Sequence, residues 1–481
     1  MSDLAPQPSS PPPPPEEPLS RRARQLLREV DRSGFLRRVA QVMDFWREAP
    51  PADEEAGLRN LRELCRTALD QKGKLAGLMA VARLADAYGT LSADGRAAFF
   101  QMLVLDFGPP QGRIAEAVEE WLGAAADKPN ATLRLTKALE SPRTALFQQF
   151  NTIPQGIKFL VDLRADVWAA RRTRPELEVL EYELRGLLEA FFNLGLLELK
   201  RITWDSPAAL LENLVAYEAV HEITHWRDLK HRLLSDRACF AFLHPAIPTE
   251  PVIFVEVALV KGLADNIQRL LDIRGPDLHP AQADTAIFYG ISNAQKGLRG
   301  IPFGNLLIKQ VATRLRTEVP NLETFATLSP LPRFRADFLD AALESGSLTD
   351  YYKEGERKRL LRLADATDAG EALRRLLAEP HWFRDEETAE ALRPGLLRAA
   401  RHYLTEERVN GRAACPVAHF HASNGARLVR INWLGDTSRN GLRQSAGIMV
   451  NYDYDLDAFN KVQEEYFATG RVAVSRAVKD L

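Results

Sequence analysis

At 481 residues with 46% apolar side chains, the chain exceeds what one hydrophobic core usually organises, so two domains are expected. Lysine and arginine number 63 against 65 acidic residues, a net charge of -2 that leaves no basic surplus for a nucleic acid or an anionic membrane. The cysteines, Cys65, Cys239 and Cys415, are too scattered for a disulfide framework or a metal knuckle and fit a reducing compartment.

Residues 1–18 carry the proline run Pro11 to Pro15 followed by Glu16 and Glu17, which reads as a disordered tail. No apolar stretch approaches the roughly 20 residues of a membrane span. The terminal VKDL is neither a retention nor a peroxisomal signal, so a cytoplasmic protein is expected. Residues 19–199 read as helix after helix: Ala23, Leu26, Leu27 and Val30 fall on one face, and RPELEVLEYELRGLLEAFFNLGLLEL continues the pattern. This half holds no cluster with metal-ligand or catalytic spacing and is expected to be a scaffold or assembly domain.

The texture changes at ITWDSP. Ser206 as N-cap and Pro207 at the first helical position predict a helix through Leu210, Leu214 and Tyr217, opening a second domain over 200–481. FAFLHP, PVIFVEVAL and TAIFYGIS read as strands, the middle one apolar throughout, as a strand covered on both faces would be. The loop QKGLRGIPFG leads into a helix from Asn305 through Leu306, Ile308, Val311 and Leu315, and LETFATLSP reads as the next strand. Residues 333–405 form a charged, helical insertion. PVAHFH, the turn ASNGA and ARLVRINW predict a β-hairpin centred on Asn424 and Gly425, with a last strand in GIMVNYDYDL.

HEITH at 221–225 has the H-E-x-x-H zinc pattern if it lies on a helix, where His221 and His225 share a face and Glu222 is a possible base. The metzincin extension needs a glycine where Asp228 stands. On a continuing helix, His231 would be rotated about 120° from His225 and displaced about 9 Å along the axis. No metal is therefore expected, and His221, His225 and Trp226 are assigned to packing between helix and sheet.

Two further signals concern chemistry. Arg299, Gly300, Ile301, Pro302, Phe303, Gly304 and Asn305 join a strand to a helix, so their backbone amides can face an anion such as pyrophosphate at the positive helix end; Gly297, Gly300 and Gly304 lack the dinucleotide spacing. In the predicted hairpin, period two puts His419 and His421 on one face, and spacing alone does not choose between them. Ser329 closes a strand before Pro330.

ITWDSPAALLENLVAYEAVHEI, EPVIFVEVAL, AIFYGISNAQKGLRGIPFGNLLIKQV, TLSPLPRF, PVAHFHASNGARLVRINWLGD and GIMVNYDYDL resemble, in order and spacing, the malonyl-CoA decarboxylase family. The resemblance implies an α+β protein: an N-terminal all-helical bundle used in tetramer assembly, followed by a mixed α/β catalytic domain similar to GNAT-type acyltransferases. It also implies that the loop 299–305 and Tyr454 bind malonyl-CoA, that Ser329 and His421 are catalytic, and that acetyl-CoA and carbon dioxide form with no cofactor. Losing carbon dioxide beta to a thioester leaves an enolate on the thioester oxygen, so the substrate carries its own electron sink. Which of Ser329 and His421 protonates the carbon is left open. Two other readings stand beside this one: an acyl-CoA hydrolase or acyltransferase of the same fold, and a non-catalytic acyl-CoA-binding regulator.

Overall fold

A computed structural model describes residues 54–124, 127–275, 278–301 and 304–481. The proline-rich tail, the predicted helix through Val30, and Pro302 and Phe303 lie outside the described residues. The chain divides after Pro109 into two compact units.

In the first unit, α1 (Glu54–Asp70), α2 (Leu75–Gly89) and α3 (Ala93–Asp106) bury Leu61, Cys65, Val81, Leu84, Phe99 and Leu103. The three- and four-residue spacing of these apolar side chains gives each helix its inner stripe. Ser92 caps α3, its Oγ accepting from the Gly95 amide at 3.0 Å.

The second unit opens with α4 (Gln111–Gly123), α5 (Lys128–Leu139), α6 (Pro142–Gln149), α7 (Gly156–Ala170) and α8 (Glu178–Phe191). Leu160, Val161 and Val167 of α7 and Leu180, Leu184 and Leu188 of α8 are fully buried, each burial worth about 1.5–3 kcal/mol. The sheet begins at β1 (Glu198–Ile202) and continues through β2 (Arg237–His244), β3 (Ile247–Val260), β4 (Thr285–Asn293), β5 (Thr324–Thr327) and β6 (Ser329–Pro330). A two-stranded ribbon, β7 (Arg408–Val409) with β8 (Arg412–Ala413), lies outside the sheet, and β9 (Arg427–Asn432) and β10 (Met449–Asp453) complete it. The order is β1-β2-β3-β4-β5-β10-β6, with β9 also paired to β10; β4 and β5 are parallel and the other pairs antiparallel. β2 is buried along its whole length and β3 from Pro251 to Leu259, which is why these segments are apolar at successive positions.

On one face, Leu210, Leu211 and Leu214 of α9 (Ala208–Tyr217) pack on Cys239, Ala241, Leu243 and Phe254. The cap of α9 is Pro207, one residue later than the sequence pattern predicts, because the Ser206 hydroxyl instead accepts from the Thr203 amide at 3.0 Å. The insertion is helical, with α13 (Asp340–Ser345), α14 (Glu354–Ala364), α15 (Ala369–Ala378) and α16 (Glu386–Thr405) following α10 (Trp226–His231), α11 (Ile267–Leu271) and α12 (Gly304–Glu318) in chain order.

Two histidine-bearing segments depart from the sequence expectation. HEITH is not helical: α9 stops at Tyr217, and His225 is already the cap of the short α10. Side chains satisfy the backbone of 218–225 instead. The Glu218 carboxylate accepts the Val220 and His221 amides at 2.8 Å each, and Arg232 donates to the His221 carbonyl at 2.7 Å. The shared helical face that would aim two imidazoles at one metal is absent. PVAHFH, predicted as a strand, is the helix α17 (Pro416–Ser423). Pro416 occupies the first helical position, which suits its missing N–H. The Asn424-Gly425 pair is the helix's C-terminal stop rather than a hairpin turn: Gly425 has φ +72°, its amide bonds Ala422 O, and the Ala426 amide bonds His421 O, each at 3.0 Å. α18 (Arg439–Ser445), α19 (Phe459–Thr469) and α20 (Arg476–Lys479) finish the chain.

Candidate active site

Ala326 and Leu328 join the apolar core around Ile287 and Met449. Alternation along the extended chain therefore turns Thr327 and Ser329 to the opposite side. At this point β10 carries a bulge between Asn451 and Tyr452, and the regular ladder between β5, β6 and β10 gives way to side-chain bonds. The Thr327 Oγ1 accepts the Tyr452 amide at 3.1 Å, and Asn451 Nδ2 donates to the Thr327 carbonyl at 2.7 Å. Asn451 Nδ2 also donates to Ala264 O, while its Oδ1 accepts from Arg430 and Asn432, so this wholly buried amide ties three chain segments together.

Ser329 Oγ donates to Thr327 Oγ1 at 2.9 Å and lies 3.0 Å from His421 Nε2. His421 Nδ1 lies 2.7 Å from the Tyr454 hydroxyl. With the serine proton directed at Thr327, His421 Nε2 carries the hydrogen toward Ser329, and Nδ1 accepts from the phenol. Ser329, His421 and Tyr454 are 6%, 3% and 1% exposed. Burial alone pushes His421 from its ordinary 6.5 down to about 3, and it pushes the Tyr454 phenol well above its ordinary 10, so both are neutral. The imidazole stacks on Tyr452 with 4.4 Å between centroids, and Phe459 stacks on Tyr454 at 6.3 Å.

The helical conformation of α17 separates the two histidines. Residues two apart on a helix point about 200° apart, not the same way. His421 reaches Ser329, whereas His419 Nδ1 lies 2.7 Å from the Tyr466 hydroxyl, which also accepts the Ala413 amide.

In the loop, Lys296–Leu298 forms a single 3-10 turn, Arg299 is exposed, Gly300 has φ +82° and Ile301 is buried; Gly304 and Asn305 open α12. α12 approaches the buried chain through Lys309, whose Nζ lies 4.8 Å over the Phe459 ring that stacks on Tyr454. The structure thus joins Ser329, His421 and Tyr454 directly. It keeps His221 and His225 elsewhere, on the segment held by Arg232, whose guanidinium is paired with buried Glu256 at 2.7 Å. Sequence reasoning missed Thr327, for which the available signal was its position two residues before Ser329 on one strand face. It also missed Tyr452, which alternation places with Tyr454. No group of three His, Cys, Asp or Glu side chains able to hold a metal occurs among the described residues, and no described helix is long and apolar enough to cross a membrane.

A hydroxyl, an imidazole and a phenol bonded in one buried chain on a mixed sheet are the equipment of an enzyme that moves protons out of contact with water, joined here to an all-helical N-terminal region. Residues 107–192 match the malonyl-CoA decarboxylase N-terminal domain, and residues 195–481 match the malonyl-CoA decarboxylase C-terminal domain. The mitochondrial malonyl-CoA decarboxylase of Anser anser anser is 35% identical over 405 residues, covering 81% of this chain and 80% of its own. That of Rattus norvegicus is 33% identical over 414 residues, covering 82% and 83%. The crystal structure of malonyl-CoA decarboxylase from Rhodopseudomonas palustris superposes with a TM-score of 0.78 at 38% identity over 88% of this chain and 99% of that one. The enzyme from Agrobacterium vitis gives 0.78 at 36% identity over 87% and 98%. The chain belongs to the malonyl-CoA decarboxylase family and is a carboxy-lyase.

Proposed function

We propose that this enzyme converts malonyl-CoA to acetyl-CoA and carbon dioxide with no added cofactor, and that Ser329 and His421 handle the charge and the proton. The observation that carries the reading is the buried Ser329–His421–Tyr454 chain. The substrate carboxylate, held perpendicular to the thioester plane, leaves as carbon dioxide, and its bonding electrons become an enolate on the thioester oxygen. The hydroxyl of Ser329 and the Nε2 hydrogen of His421 are donors for that oxygen. One proton is consumed per turnover: the alpha carbon takes it from this pair, the Tyr454 phenol passes its own proton to Nδ1 as Nε2 gives up its hydrogen, and a solvent proton reloads the chain once carbon dioxide and acetyl-CoA have left. In this reading the loop 299–305 holds the phosphates of the acyl-CoA.

A serine 3.0 Å from a histidine also suggests acyl transfer, with serine as nucleophile and histidine as base. Two features favour donation instead. A base must become imidazolium, which burial opposes down to about pH 3, and the group behind Nδ1 is a neutral phenol rather than a carboxylate. Product analysis on the purified enzyme separates the readings: acetyl-CoA with stoichiometric carbon dioxide supports decarboxylation, free CoA with malonate supports hydrolysis, and tight binding without turnover supports a regulator.

We further propose that 19–199 is the assembly domain of a homo-tetramer and 200–481 the catalytic domain. Leu122 of α4 and Leu133 and Leu139 of α5 are more than half exposed, a face suited to a second copy. Sedimentation of Leu122→Glu with Leu133→Glu tests it: a smaller assembly supports the proposal, and an unchanged one opposes it.

A further inference from the structure

Arg164 lies on the apolar helix α7 and is 1% exposed. Its Nη2 pairs with the buried Glu181 of α8 at 2.6 Å. The two terminal nitrogens also reach the glycine-rich loop: Nη1 donates to the Gly297 carbonyl at 2.5 Å and Nη2 to the Arg299 carbonyl at 3.1 Å. α7 and the loop touch without an intervening side chain, since a Cβ on Gly297 would lie 1.7 Å from the Val161 carbonyl oxygen. Trp168, one turn after Arg164, has the Arg171 guanidinium 3.6 Å from its ring centroid and the Arg299 guanidinium at 5.9 Å.

The backbone consequence follows from peptide planarity. In a trans peptide the C=O and the next N–H point in opposite directions, and the chain has no cis bond among its described residues. Drawing the Arg299 carbonyl inward onto Arg164 therefore turns the Gly300 N–H outward. Gly300 takes the left-handed φ of +82° that this turn requires. The Leu298, Arg299 and Ile301 amides are spent inside the loop on Gln295, Lys296 and Leu298 carbonyls. Among the described residues 298–301, the Gly300 amide is thus the one not bonded to a loop carbonyl and turned away from Arg164, just ahead of α12 in the chain.

We propose that Arg164, anchored by Glu181, is a positioning residue for substrate binding: the helical region of the chain sets the loop conformation that receives the phosphates of the acyl-CoA. The inference rests on the reading of the loop 299–305 given above. Neither residue touches the reacting atoms, so the effect falls on KM more than on kcat, and only for substrates that carry the phosphates.

The test compares malonyl-CoA with malonyl-pantetheine, which keeps the reacting thioester and lacks the phosphates. In the full-length enzyme the ratio of kcat/KM for the two substrates is measured for the wild type, Arg164→Lys, Arg164→Gln, and the double variant Arg164→Met with Glu181→Leu. The double variant leaves no unpaired buried charge and keeps the test available if a single variant fails to fold. The expected result is a fall in the ratio of about tenfold or more in the double variant, carried by KM, with partial recovery in Arg164→Lys. A folded double variant that keeps the wild-type ratio would overturn the role of Arg164, as would equal losses on both substrates. A wild-type enzyme with no preference for malonyl-CoA over malonyl-pantetheine would instead remove the underlying reading of the loop.

Discussion

The segments 221–225 and 416–423 each carry two histidines, but the first is irregular chain and the second is a regular helix. HEITH has metal-ligand spacing but lies in irregular chain, its backbone held by Glu218 and Arg232. PVAHFHAS spaces its histidines to share one face of a strand, yet as α17 it drives one imidazole into the sheet against Ser329 and the other toward Tyr466. Histidine spacing thus acquires chemical meaning only once the backbone period is known. Two residues apart means one shared face on a strand and nearly opposite faces on a helix.

The comparison can be broken at several points. The largest loss is expected for Ser329→Ala and for His421→Ala, each lowering turnover by about 10²- to 10⁴-fold, the range for a positioned acid–base group. Steady-state kcat with circular dichroism on the same samples checks it, and turnover within tenfold of wild type in either folded variant would count against the assignment. Next comes Thr327→Val, which keeps the shape and removes the acceptor of the Ser329 proton. Loss of one hydrogen bond worth about 1 kcal/mol predicts a fall in kcat of roughly five- to tenfold. An unchanged kcat would show that the hydroxyl needs no such orientation.

His419→Ala is expected to lower melting temperature through its lost bond to Tyr466 while changing kcat by no more than about threefold, and His225→Ala by no more than about twofold. A loss at His419 as large as that at His421 would erase the distinction between the two sides of α17. The smallest effect concerns pH. Burial depresses His421 to about 3 from 6.5, so the unfolded chain binds its proton more readily. The stability this group contributes is therefore present above pH 6.5 and is lost as pH falls toward 3. Denaturant midpoints should decline over that window, while kcat shows no limb at pH 6.5; a kinetic pKa near 6.5 that disappears in His421→Ala would contradict a buried neutral imidazole.

Much of the sheet domain was legible because its strands are buried on both faces and so are written as apolar runs, as in PVIFVEVAL and TAIFYGIS. The helical stripe over α7 and α8 was equally plain. α17 was not: alternation in VAHFHA mimics a strand, and Asn-Gly serves hairpins and helix ends alike, so the local signal was degenerate until Pro416 at the helix start decided it. Ser329 and His421 came from the family resemblance, and their contact spans 92 residues that no spacing rule connects. Arg164 and Glu181 had no signal, because a buried ion pair within apolar helices looks like two ordinary surface charges until the neighbouring loop is placed on it.

The central claim is that Ser329 and His421 act as one proton-handling unit on malonyl-CoA. It is tested most directly by single-turnover formation of acetyl-CoA in the wild type, Ser329→Ala, His421→Ala and the double variant, all after exhaustive chelation. The account predicts full wild-type activity under chelation and a double variant no more than about threefold worse than the worse single one, the signature of groups that share a step. Multiplying losses in the double variant, or wild-type activity that vanishes with the chelator and returns with a metal, would contradict it.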